Sequence, residues 1–235
     1  ELTLEYLRET LNDCSWVINR LENNGDHINR LLGGEFEFQA EGVITLTNQT
    51  TVTQGTWEIT TNAEGRFVVA ISMGDEGAVS FEWLLTDLKD RIIKFNVEET
   101  FYELVIVKKC IDDEDEEEEI TFIKNIFDNT AWDVAYFAEN NDESTVLYAD
   151  VKLYMENDGT LEVRNVNGDV FSTGNWFVYR NTFTGNLEML VSFETGSNYL
   201  PLANDYQILE IDEMRIELKH ENETGLYDHL VLERS

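Results

Sequence analysis

Gly55-Thr56-Trp57 and Gly174-Asn175-Trp176 decide the fold, because the chain runs through one programme around the first stretch and repeats it around the second. Upstream, Trp16 answers to Trp132, and Glu22-Asn23-Asn24 reads against Glu139-Asn140-Asn141. Phe36-Glu37-Phe38 with Glu41-Gly42 answers to Leu153-Tyr154-Met155 with Asp158-Gly159. Downstream, Phe67, Val69 and Ile71 match Leu187, Met189 and Val191, and Trp83 falls on Tyr206. Ile93 and Phe95 fall on Ile216 and Leu218, and Val105 and Val107 on Leu230 and Leu232. The order never breaks, and the spacing between partners widens only at loops. That is the mark of a duplicated domain. Two domains are expected, at 1–110 and 119–235, joined by a linker at 111–118. Each is long enough for its own core.

Within a unit the hydrophobic period changes once. Leu4, Leu7 and Leu11 lie at helical spacing, as do Phe122, Ile123, Ile126 and Phe127 in the second unit. Each unit therefore opens with a short amphipathic helix. After it the period is two: Phe36, Phe38 and Ala40 alternate with Glu37, Gln39 and Glu41. Such alternation reads as antiparallel strands with one wet face. Eight strands are expected per unit, in the first near 15–21, 35–40, 43–47, 51–60, 66–72, 77–86, 90–97 and 101–108. The links are short and polar, so consecutive strands pair as a meander. A meander of eight closes on itself, since closure removes its edges. The expected fold is all-β: two tandem eight-stranded up-and-down antiparallel barrels, each preceded by a helix.

The cysteines fit closure. Cys14 begins the first strand and Cys110 lies just past the last, and those strands are neighbours in a closed barrel. The matching positions of the second unit read as Thr130 and Ser235, so both cysteines are absent together. A Cys14–Cys110 disulfide is expected, with two unrelated buried thiols as the alternative. A disulfide implies an oxidising compartment.

Asn12-Asp13-Cys14-Ser15-Trp16, Gly55-Thr56-Trp57 and Leu104-Val105-Ile106-Val107-Lys108-Lys109-Cys110 resemble the lipocalin-like barrel domains of secreted proteins and surface lipoproteins of Bacteroidota. The resemblance covers both units through short motifs. It implies a calycin-type barrel in an exported protein, placed outside the cell, at the outer-membrane surface or in the periplasm of a Gram-negative bacterium. The resembled domains are mostly without an assigned function. The second unit departs from the pattern by lacking both cysteines. The Gly-x-Trp here falls in mid-unit, so no lipocalin ligand residues carry over.

Charge narrows the partners. Against 48 acidic residues stand 16 basic ones, a net charge of −32. Nucleic acid is disfavoured, because phosphate contacts need clustered Lys and Arg, and so is an anionic membrane surface. No apolar run is long enough for a spanning helix, though a lipid anchor upstream is compatible. Asp112 to Glu119 is an unbroken acidic run, expected as a solvated, self-repelling linker. Weak Ca²⁺ binding is the alternative there and at Asn140-Asn141-Asp142-Glu143, but calcium-loop spacing is missing from the first and Asn/Asp clusters ordinarily make turns.

No catalytic constellation stands out. The histidines His27, His220 and His229 do not repeat between units, and no nucleophile elbow, zinc-protease or phosphate-loop motif occurs. The reading is a non-enzyme without cofactor or metal. Trp16, Trp57, Trp132 and Trp176 recur at equivalent strand positions, as core residues do. Phe183 and the loop Tyr199-Leu200-Pro201-Leu202 are read as specific to the second unit and form the candidate partner contact. The expected function is an extracellular or surface binding or assembly module with a protein partner. The alternatives are a carrier of a small apolar ligand in the barrel, or a glycan-binding module.

Overall fold

The computed structural model of the chain describes residues 2–111, 114–222 and 225–235. It divides into two compact units, Glu1–Ile111 and Asp112–Ser235.

The first unit opens with helix α1 (Leu4–Asp13), whose Thr3 side chain accepts from the Tyr6 N–H at 3.1 Å and caps the helix start. Leu7 and Leu11 enter the core, whereas Leu4, expected on the same face, is exposed. Then follow β1 (Trp16–Asn23), β2 (Asp26–His27), β3 (Glu35–Phe38), β4 (Val43–Asn48), β5 (Thr51–Thr61), β6 (Phe67–Ser72), β7 (Glu82–Leu88), β8 (Ile92–Val97) and β9 (Tyr102–Lys108). Apart from the two-residue β2, which pairs only with β1, the strands pair in sequence from β3 to β9. β1 pairs with both β3 and β9, and the barrel closes. The strand expected at 77–86 starts later, because Gly77–Val79 forms a 3₁₀ turn first.

The second unit repeats this plan: α2 (Glu114–Phe127), β10 (Ala131–Glu139), β11 (Asp142–Glu143), β12 (Val151–Met155), β13 (Thr160–Asn165), β14 (Val170–Arg180), β15 (Leu187–Phe193), β16 (Asn204–Ile211), β17 (Arg215–Glu221) and β18 (Tyr227–Arg234). β10 pairs with β12 and with β18, so this barrel closes as well. Irregularities repeat too. The register shifts between Ile18 and Arg20 and between Val134 and Tyr136, and again between Leu85 and Asp87 and between Ile208 and Glu210. Bulges kept in step are parts of the barrel's curvature and not accidents of one copy.

Strand pairing corrects the sequence alignment in two places. Leu21 lies opposite Leu104 and Phe137 opposite Leu230, so Leu104, and not Val105, is the counterpart of Leu230. Likewise Glu22 corresponds to Ala138, and Asn24-Gly25 to Asn140-Asn141 as the two tight turns, all four residues having positive φ. A slip of one residue exchanges the inner and outer faces of a strand. His229 therefore stands where Glu103 does, and donor–acceptor contact with Glu217 at 3.0 Å holds it on the outer face. Ser235 matches Lys109: their N–H groups donate to Ala131 and Ser15 carbonyls at the same place. The counterpart of Cys110 falls one residue past Ser235, so the paired absence rests on Thr130 alone.

The linker expected at 111–118 is corrected as well. Asp112 and Asp113 lie outside the described residues, but from Glu114 the acidic run is helix. Glu114, Asp115, Glu116 and Glu117 fill the first turn of α2, where negative charge meets the positive end of the helix dipole. Glu116 is buried and accepts the Arg180 N–H at 3.0 Å, and Glu119 pairs with the Arg180 guanidinium. On the inner face of α2, Ile120, Ile123, Ile126 and Phe127 are buried, while Phe122 points to solvent.

Cys14 and Cys110 form the disulfide, across the seam between the first and last strands of the first unit. The second unit holds the same seam with a polar chain. Ser235 Oγ donates to Asp133 at 2.7 Å, and Lys152 Nζ reaches both Ser235 Oγ at 2.7 Å and Asp133 at 2.9 Å.

Large side chains occupy both interiors: Trp16, Phe36, Phe38, Trp57, Trp83 and Phe95 are buried in the first barrel, and Trp132, Phe137, Trp176, Phe193 and Tyr206 in the second. Trp57 Nε1 donates to the Gln39 carbonyl and Trp176 Nε1 to the Glu156 carbonyl, each at 2.9 Å. These two tryptophans are core residues with the same hydrogen bond in both units.

Candidate functional site

In each unit the meander places the helix at one end of the barrel. The loops after β1, β4, β6 and β8, and those after β10, β13, β15 and β17, all fall at the other. The two copies differ in chemistry at that far end.

In the first unit the far end is closed internally. The turn Asn29–Leu31 supplies Arg30, whose two terminal nitrogens donate to both carboxylate oxygens of Glu76 at 2.7 and 2.8 Å. This bidentate contact holds the Glu76 carboxyl below its ordinary value, against the opposing effect of burial. Phe81 and Tyr102 pack with ring centroids 4.8 Å apart, and Tyr102 Oη donates to the Ala78 carbonyl at 2.7 Å.

The second unit rebuilds each of these positions. Its 3₁₀ turn Leu200–Leu202 is the counterpart of Gly77–Val79, and Tyr206 Oη donates to the Leu202 carbonyl at 3.0 Å as Trp83 Nε1 donates to Val79 at 2.8 Å. Leu202 is fully buried, so it is core and not a partner contact. Tyr199 takes the place of Glu76 and packs beside Tyr148 and Phe193, at 6.3 and 6.1 Å. Asn204 and Asp228 replace Phe81 and Tyr102, and a 2.7 Å hydrogen bond replaces the ring contact. The Asn140 N–H, also at 2.7 Å, fixes the other oxygen of Asp228. His220 is buried where β16 and β17 part. Its Nδ1 lies 2.8 Å from the Asp205 carbonyl and 3.0 Å from the Asp205 carboxylate. Burial, and then the charge of Asp228, raise the Glu139 carboxyl. Burial likewise pushes the Tyr148 hydroxyl up to about 12, assisted by Glu139 and Tyr199.

Counted from the equivalent residues Phe193 and Met73, the connection to the turn is three residues longer in the second unit, Glu194 to Tyr199 against Gly74 to Glu76. The extra length opens a depression of about 470 Å³ lined by Phe171, Glu194, Thr195, Gly196, Ser197, Asn198 and Tyr199. The same end carries large apolar side chains in water: Phe171 is 57% exposed, Val166 76%, Leu147 72% and Val146 81%. Register brings them to one end of the barrel. Val151, which follows the turn carrying Val146 and Leu147, pairs with Asn165, and Arg164 pairs with Val170. Tyr199 joins the set, touching Tyr148 of that turn and lining the depression with Phe171.

Of the expected contact residues, Tyr199 lines the depression, Leu200 is half-buried and Pro201 is exposed. Phe183 lies in the loop after β14, at the helix end, so the structure does not bring it to Tyr199. Phe171, Val146, Leu147, Val166 and Glu194 were outside the sequence reading. Their signal was a contrast between copies: the tight link Gln49-Thr50 gives way to Val166 to Asp169.

A second depression, about 610 Å³, lies outside the first barrel where β6 and β7 part, bordered by Glu58, Ala70, Ser72, Phe81 and Glu82. Asn140 and Asn141 form a turn, and Asp142-Glu143 pairs with β10. Among the described residues, no three His, Cys, Asp or Glu side chains converge as a metal site, and no helix is long and apolar enough to cross a membrane. No protein-family model matches the chain, and no curated protein matches it.

Proposed function

We propose that this chain is a non-catalytic binding module that docks a protein partner on the far end of its second unit. The observation that carries the reading is the exposed set Phe171, Val166, Leu147 and Val146, at the end that holds the depression lined by Phe171 and Tyr199 and that the first unit closes with Arg30 and Glu76. Exposed apolar groups gathered in one place and rimmed by polar residues are the usual composition of a protein contact. The disulfide favours an oxidising setting, outside the cell or in the periplasm, with a lipid anchor ahead of the chain as one means of holding it at a surface. A carrier would need an apolar void where Trp83, Phe95, Tyr206 and Phe193 stand. Sugar stacking on the paired tryptophans would need them exposed, and all four are buried.

The test is capture from native envelope by the wild-type chain and by a Leu147→Ser/Phe171→Ser variant, with unfolding curves run on both. A partner that the wild type retains and the equally stable variant loses supports the reading. A wild type that retains nothing, or a variant that retains the same partner, refutes it.

A further inference from the structure

We infer that the docked segment is cationic: an arginine or lysine flanked by apolar residues, its charged head seated between Phe171 and Tyr199 against the Glu194 carboxylate. This rests on the docking reading above and adds the chemistry of what docks. The two rings form walls of the same depression, and Glu194 stands at its edge. One oxygen of Glu194 is held by long contacts, from Ser172 Oγ and the Thr173 N–H, each at 3.3 Å. Among the described residues its other oxygen has no hydrogen-bond partner and no cation pairs with the carboxylate. A guanidinium or ammonium between aromatic faces and beside a carboxylate gains both a cation–π and a charge-assisted contact.

The neighbouring cations are already committed. Arg164 pairs with Glu162 and covers the Tyr154 ring, and Lys219 pairs with Glu221 and covers the Tyr227 ring. This end also carries Asp142, Glu143, Asp150, Asp169 and Asp228, so the field around the depression draws positive charge. The first unit shows the same end in its satisfied form. There the chain supplies its own guanidinium, Arg30, to a carboxylate beside Tyr102. The corresponding turn of the second unit carries Val146 and Leu147 instead of an arginine, and the carboxylate of Glu194 is left for a cation from outside.

Labelled peptides of alternating leucine and arginine, leucine and glutamate, and serine and arginine would be titrated onto the whole chain by fluorescence anisotropy. The leucine–arginine peptide is expected to bind, and roughly tenfold more weakly to Glu194→Gln, the size of one charge-assisted contact. Glu58→Gln, an equal change of charge on the first barrel, is expected to leave that affinity unchanged. Equal binding of the leucine–glutamate peptide, lost in Phe171→Ser, would overturn the cationic partner and leave docking standing. Equal weakening by both glutamine variants would reduce the effect to net charge and overturn it too. If no peptide responds to Phe171→Ser, both readings fall.

Discussion

A methyl group added to Gly55 would come within 2.1 Å of the Ser72 carbonyl oxygen, and one added to Gly174 within 2.0 Å of that of Ser192. Glycine is required at both places because two backbones touch there, so each Gly-x-Trp pairs a close approach with a large ring two residues on, on the same face of the strand. Gly55→Ala and Gly174→Ala are expected to cost about 1–3 kcal/mol in denaturant unfolding. Gly77→Ala, which meets open space without a left-handed backbone, should change stability by under about 0.5 kcal/mol. The tryptophans allow a finer comparison. Trp16 Nε1 donates to the Leu11 carbonyl at 3.2 Å, whereas Trp132 Nε1 is buried with no hydrogen-bond partner among the described residues. Replacing Trp132 by Phe removes an unsatisfied donor, and replacing Trp16 by Phe strands an acceptor. Trp16→Phe should therefore be the costlier change, by about 1 kcal/mol.

Among the elements, the far ends respond oppositely to acid. Glu76 has a lowered carboxyl because of the Arg30 hydrogen bonds, so its contribution is present above the ordinary carboxylate value and is lost as pH falls through the lowered one. Glu139 is raised by burial and by Asp228, so its relative stabilisation is present below the ordinary value and is lost as pH rises through the raised one. Amide protection of the turn Asn29–Leu31, taken relative to the intrinsic exchange rate at each pH, should fall in acid, and that of Thr145–Tyr148 should not. Glu139→Gln should stabilise the second unit at about pH 7 and do little at about pH 4, read by urea unfolding; stabilisation only at the acid pH would reverse the sign and refute it. The alternation of Phe36 to Glu41 and the recurring tryptophans made strands, closure and duplication legible, because period and order survive substitution. Register at β9 was not legible: Leu104-Val105-Ile106-Val107 is apolar on both faces and looks the same when slipped by one. The helical role of the acidic run was hidden because its partner, Arg180, lies far along the chain. The exposed set around Phe171 was hidden because no single stretch contains it.

For the whole molecule, the disulfide divides stability unequally. Cys14 and Cys110 are 96 residues apart, and a loop of that length contributes up to about 4–5 kcal/mol on a chain-entropy estimate. Reduction should lower the melting transition of the first unit and leave that of the second in place; calorimetry with and without reductant resolves the two. With a net charge of −32, added salt should raise both transitions through screening of self-repulsion. The closing seam also bears on the order of events during folding. Hairpins such as β5–β6 join residues close in sequence, but Val17 must find Val107, and Val134 must find Leu232. Contacts so distant along the chain gain nothing until most of the meander exists, which makes ring closure the slow step of each unit. Only the first unit has a covalent clasp on that step. Refolding with Cys14–Cys110 intact should be faster for the first unit than refolding after reduction, while the second unit keeps one rate under both conditions. The two copies of one architecture thus differ in how quickly they find it.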